Sequence, residues 1–252
     1  MSKAVKTSLQ FVQSVELADP ENSFPGDGRL GFESGEEAKS ESYLSDKSLV
    51  SFTSGVSSQT REDILSSTLL AQLAANKKCP DDADLREWFK VYQDTLHNIG
   101  WVLQEKDWAT MSDSESAFEM NEVIVDVLGA ALGGTAVIVI KKALDAFKKL
   151  SDTNGKIIAF EKNTHSLTKG TFLIALCDET NDNVSMKIGA FQLSSSKTIT
   201  QILFFKSSKD KTELSYSASD ATFFKTAYDI VRLEIKNRLA DKFKSFVASI
   251  DI

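Results

Sequence analysis

Two histidines and two cysteines in 252 residues leave little material for a metal centre or a thiol–imidazole catalyst. Zinc sites draw their ligands from those residue types at short spacings. Here Cys79, His97, His165 and Cys177 lie far apart in the chain, so no metal and no cofactor is expected. Two distant cysteines do not build a disulfide framework and fit a reducing compartment. The opening MSKAVKTSLQFVQSVELADP lacks the continuous apolar run of a secretory signal. The expected location is therefore the cytoplasm of the producing cell, with export by a route that needs no cleaved signal as the alternative.

Nucleotide and hydrolase motifs are also missing. No G-x-S-x-G occurs and no Walker lysine follows GAALGG. FPGDGRLG contains G-x-G but neither follows a strand nor opens a helix. DDAD, residues 81–84, lacks the glycine and terminal glutamate of a calcium loop and reads as a helix N-terminus. Positive charge is scarce as well. The net charge is −7, with 15 Lys/Arg against 24 Asp/Glu in residues 1–150 and 14 against 12 in residues 151–252. An acidic front half without a basic stripe argues against nucleic acid as a partner.

Apolar volume, by contrast, is plentiful. Sixteen Phe and a 42% hydrophobic fraction supply a sizeable core. Leu9, Phe11, Val15 and Leu17 alternate with polar residues and predict an N-terminal strand. The stretch from Asp19 to Ser48 is rich in Gly, Ser and Glu and reads as an irregular acidic segment packed on the main domain. Residues 1–58 are thus set apart from a single α+β domain over 59–252. Capping-box spacing in Thr60-Arg-Glu-Asp63 predicts a helix from about 61 to 78. Leu85, Trp88, Phe89, Tyr92, Leu96 and Ile99 predict a second, closed at Gly100. WVLQEKDW fits either a strand or a helical turn.

A long helix is expected over about 115–150. Beyond it, KIIAFEK, TFLIALCDE, NVSMKIGAF, TITQILFFK and TELSYS read as short strands, although the first could instead be helical. Short connections make them antiparallel, with the sheet mainly over 171–217. From Asp220, apolar steps of three and four predict a helix of about 30 residues, with Val231, Ile235, Leu239 and Phe243 buried. The expected fold is α+β: an antiparallel meander packed against several helices, including a long C-terminal helix and a buried Gly-rich apolar helix.

That last helix contains VIVDVLGAALGGTAVIVI, Val123 to Ile140, with Asp126 as its one charge. Such a segment is apolar all round when packed centrally, its glycines permitting close approach. The expectation is a core helix, whole or broken near Gly133-Gly134, with Asp126 satisfied by a partner. The competing reading is conditional membrane contact through Gly129, Gly133, Gly134, Val137 and Ile138, since Gly129 and Gly133 have the small-xxx-small spacing of close-packed membrane helices.

The thiol candidates are weak. Cys177 with His165 is the pairing that a cysteine-dependent hydrolase or transferase would use. Asp178 and Glu179 would raise that thiol's pKa. Cys79, beside Lys77 and Lys78 at a helix end, is a candidate reactive or lipidated thiol.

STLLAQLAANKK in the 66–78 region, NIGWVLQ (98–104), NVSMKIGAF (183–191) and FVASIDI (246–252) resemble a group of uncharacterised bacterial and fungal proteins. The likeness spans roughly residues 60–252. The chain is similar, too, to accessory proteins encoded beside α-pore-forming toxins, as in Mak-type operons. With the absent catalytic set and the Gly-rich apolar segment, this resemblance points to a non-enzymatic accessory or effector protein of a bacterial toxin or virulence system. Its partners would be proteins, toxin components among them, with conditional membrane contact. The alternatives are the Cys177–His165 enzyme and a module binding a small ligand between sheet and helices.

Overall fold

Asn181 and Asp182 both adopt positive φ, at 50° and 63°. Two such residues make the tight turn that matches strand twist, and they join β5 (Lys169–Thr180) to β6 (Asn183–Ser194) in full antiparallel register. β7 (Glu213–Phe223) returns along β6 and completes the meander. The computed structural model describes residues 3–19, 22–25, 39–80, 84–114, 116–132, 134–150, 153–209 and 211–250.

The front of the chain supplies more than an irregular segment. β1 (Glu41–Ser45) and β2 (Ser48–Phe52) form a hairpin turned at Asp46, whose φ is 48°. β2 runs parallel to β5, with Val50 opposite Ala175. The eight-stranded sheet has the order β3-β7-β6-β5-β2-β1-β8, where β3 is Trp101–Glu105 and β8 is Val247–Ile250. A further strand, β4 (Ala109–Ser112), pairs with β7 off that path. β1 and β2 thus lie inside the sheet. Their YLS and SLVSF cores are short and serine-rich, which hid them among polar neighbours.

Alternation along β5 creates two cores. Leu173, Ala175 and Cys177 face one way and Phe172, Ile174 and Leu176 the other. The first face is covered by α1 (Lys3–Ser14), α2 (Ser58–Lys78), α3 (Leu85–Asn98) and α8 (Arg232–Phe246). The second is covered by α4 (Met120–Leu132), α5 (Gly134–Lys149), α6 (Gly155–Thr164) and a 3-10 turn at Ile202–Phe204. The fold is α+β, with helices on both faces of a mostly antiparallel sheet.

Several expectations need correcting. Leu9 to Ser14 is helical, because Ser8, Phe11, Val12 and Val15 turn one helix face toward the protein and bury Val12. The α2 cap is Ser57, which accepts from the Thr60 amide, three residues before the expected position. KIIAFEK belongs to α6, capped by Asn154. TITQILFFK is not a strand: Ile202 and Leu203 are fully buried in the 3-10 turn, and its sheet position is taken by β7.

The C-terminal helix does not start at Asp220, which pairs in β7 with Lys187 opposite. A short α7 (Lys225–Asp229) intervenes, and α8 is 15 residues long. Val231, Ile235 and Leu239 are buried, and Phe243 packs half-buried against the same core. Gly100, with φ at 105°, turns the chain between α3 and β3 beneath Ala227 and Tyr228, so a side chain there meets both strain and crowding.

Candidate functional site

The apolar stretch folds back on itself as the α4–α5 hairpin, with Gly133 at the junction outside the described residues. Ile124, Leu128, Ile140, Ala143 and Leu144 are buried on the sheet. A Cβ on Gly129 would lie 3.3 Å from Val137 Cγ2, so the glycine sets how closely the two helices approach. Among the described residues only the inner stripe is core. Asp126 is exposed, not satisfied inside the fold, and Ile138 is 52% exposed. Val125, Val127 and Val137 lie half-buried on the flanks. The helix expected to be buried all round is therefore a surface hairpin with one buried face.

Charge divides that hairpin lengthwise. Between Val127 and Ile140, at the turn end, the sequence has no ionisable residue. At the base, Glu122, Asp126, Lys141, Asp145 and Lys148 line a groove of about 460 Å³. Lys142 and Lys149 are also exposed there. The result is an uncharged end above a mixed, lysine-rich base. Gly134 opens α5, so of the membrane candidates Gly129, Gly134, Val137 and Ile138 lie on the hairpin. Among the described residues, no helix is long and apolar enough to cross a membrane.

The thiol and imidazole are not brought together. His165 forms a β-bridge with Gly170, while Cys177 lies seven residues further along the same strand. At strand rise the two are separated by roughly 20 Å. Cys177 is fully buried beside Tyr92 on the α2–α3 face, and burial, followed by Asp178, pushes its thiol well above the ordinary range. A thiol held protonated in an apolar core is no nucleophile.

His165 has a different partner. Its Nε2 lies 2.8 Å from Glu161 Oε2, an ion-pair contact off the line of a directed hydrogen bond, and Nδ1 is 2.8 Å from the Ser166 carbonyl. Burial alone would lower the imidazole pKa. The Glu161 carboxylate and the Ser166 carbonyl more than offset it, so the pKa is raised. Glu161 Oε2 also accepts the Ile202 amide, tying α6 to the 3-10 turn.

Cys79 caps α2, donating its amide to the Ala75 carbonyl, and its side chain packs half-buried against the first core. Of the acidic run 81–84, Asp84 is the α3 N-cap and accepts from the Arg86 and Glu87 amides, while residues 81–83 lie outside the described residues. Among the described residues no three His, Cys, Asp or Glu side chains gather as a metal site.

No protein-family model matches the chain, and no curated protein matches it. Solved structures do. The Evf virulence factor shares 14% identity over 96% of this chain and 89% of its own, with a TM-score of 0.42. A delta-endotoxin shares 16% over 64% and 75%, with a TM-score of 0.36. The activated Cyt2Ba monomer from Bacillus thuringiensis subsp. israelensis shares 16% over 50% and 70%, with a TM-score of 0.27. Likeness at this level says nothing about chemistry.

Proposed function

We propose that the protein is a non-enzymatic accessory or effector protein that acts by reversible contact of the α4–α5 hairpin with a lipid surface. One observation carries this reading: an uncharged hairpin end with Ile138 in solvent sits above a base bearing Lys141, Lys142, Lys148 and Lys149. An apolar end enters the headgroup boundary while neighbouring lysines meet anionic lipid. Neither helix needs to span the bilayer. The toxin-associated setting comes from the sequence resemblance over residues 60–252, and toxin components are the protein partners it suggests.

Flotation with vesicles tests the contact. Wild-type protein should float with vesicles containing phosphatidylserine, at neutral or mildly acidic pH. Ile138→Asp should stay in the soluble fraction with an unchanged melting temperature. Replacing Lys141 and Lys148 with Glu should weaken flotation on anionic vesicles more than on neutral ones. Failure of the wild type to float under either condition sinks the proposal.

A further inference from the structure

On the α2–α3 face of the sheet, apolar side chains give way to polar ones toward one end. Cys177, Ala175 and Leu173 are followed by Thr171, and Met186, Ile188 and Ala190 by Gln192, which stands opposite Thr171. Here the sheet no longer floors a core. It borders a pocket of about 1000 Å³, closed by the loop after α1, the β1–β2 turn, the end of α2 and the end of α6.

Cations dominate that lining. Lys47, Lys77, Lys162, Lys169 and His165 all border it, against Asp19 and Asp46 among the described carboxylates. Both carboxylates have partners, Asp46 within the lining and Asp19 outside it. Asp19 lies 2.7 Å from Lys242 Nζ, and Asp46 accepts a 2.9 Å hydrogen bond from Asn76 Nδ2. Lys162 and Lys169 make no ion pair with a described residue and stand exposed at the mouth. In a chain of net charge −7, a cavity with Lys162 and Lys169 left without an ion pair at its mouth is set up for an anion.

We infer that this pocket binds a phosphorylated polyol, either a soluble sugar or inositol phosphate or the headgroup of a phosphoinositide. Lysine ammonium groups recognise phosphate as point charges. Thr171, Gln192 and Ser194 offer hydroxyl and amide groups to the polyol. No aromatic side chain is among the described lining residues, so the pocket lacks the stacking platform a nucleotide base uses.

The site is separate from the hairpin. None of its described lining residues belongs to α4 or α5, and Leu128 of α4 packs near Gly189, midway along β6.

Calorimetry with inositol 1,4,5-trisphosphate at low ionic strength tests the inference, with unphosphorylated inositol as control. The trisphosphate should bind and inositol should not. Lys162→Glu combined with Lys169→Glu should weaken binding at least about tenfold, with the melting temperature unchanged without ligand. The charge reversal of Lys141 and Lys148 on α5 should leave it intact, as should Ile138→Asp. A conservative Lys162→Arg/Lys169→Arg variant should retain binding.

Flotation on phosphatidylcholine vesicles containing phosphatidylinositol 4,5-bisphosphate, in the Ile138→Asp background, separates the two sources. Pocket-dependent flotation assigns a lipid headgroup; trisphosphate binding without it assigns a soluble ligand. No heat with about 1 mM trisphosphate overturns the proposal, as does equal binding of inositol, or equal loss in the α5 variant.

Discussion

The two helical layers invert the usual relation between hydropathy and burial. α2 carries Thr60, Arg61, Asp63, Ser66, Ser67, Thr68 and Gln72, yet all are buried. α4 and α5 carry the most apolar run in the chain and leave Ile138 and Asp126 in solvent. The difference lies in what surrounds each helix. α2 is enclosed by the sheet, α3 and α8, so its polar groups need partners, and among those named Arg61 Nε is left without one. Asp63 receives Arg232 Nε at 2.8 Å and Nη2 at 2.7 Å. Ser67 donates to the Asp63 carbonyl, and Gln72 accepts the Lys47 amide while donating to the Thr68 carbonyl. Burial depends on enclosure, and hydropathy only on composition.

That contrast can be tested by substitutions on each side of the sheet. Leu69→Ala on α2 removes a fully buried side chain and should cost about 2–5 kcal/mol in denaturant unfolding. A loss below about 1 kcal/mol would show that α2 is not core. Asp63→Ala should cost about 3 kcal/mol, since it removes both contacts that the buried carboxylate makes to the Arg232 guanidinium and leaves that group Asp229 as its ion-pair partner. The cost falls at the low end of the range for buried pairs because the Arg232 side chain is 28% exposed and regains water.

Across the sheet, Gly129→Leu should lower stability by about 1–3 kcal/mol through overpacking against Val137, with or without vesicles present. Equal stability would mean the hairpin helices can part freely. A smaller effect belongs to His165. Its folded pKa is raised, so its stabilisation is fully present below the unfolded value of about 6.5 and is lost as pH climbs through the folded value. His165→Gln should therefore lower the melting temperature most at mildly acidic pH, by the equivalent of about 0.5 kcal/mol. The gap should close in alkaline buffer, and a pH-independent gap would assign His165 a packing role only. Smallest of all, Ile138→Asp should change stability by less than about 0.5 kcal/mol, because the side chain already faces water.

What the chain made legible followed from strong local signals. The β5–β6 hairpin was readable from alternation and the DETNDN turn, and α3 from its apolar spacing and Gly100, whereas TITQILFFK was read as a strand where β7 pairs with β6. The C-terminal amphipathic pattern correctly marked Val231, Ile235 and Leu239, but ran past the point where β7 ends. Missed elements had tertiary causes. β1 and β2 are held by neighbours on both sides, including a parallel partner more than a hundred positions away, and periodicity does not encode that (roughly 125 positions between Ser48 and Leu173). The lysine-lined pocket is assembled from separate segments, each carrying one or two unremarkable lysines. Burial of Cys177 was suggested by its strand, while its separation from His165 became visible only with the register.

The pairing of β1 with β8 has a consequence for the order of assembly. Ser42 stands opposite Ile250, so this edge of the sheet joins segments roughly two hundred positions apart. The meander can zip locally through a tight turn, but the β2–β1–β8 flank must wait until α8 has docked and delivered its last residues. Until then β1 presents an unsatisfied edge, the kind that pairs with other chains. Synthesis from N- to C-terminus makes this flank the last to close. Folding in pulse-labelled hydrogen exchange should accordingly protect amides of β5 and β6 well before those of β1.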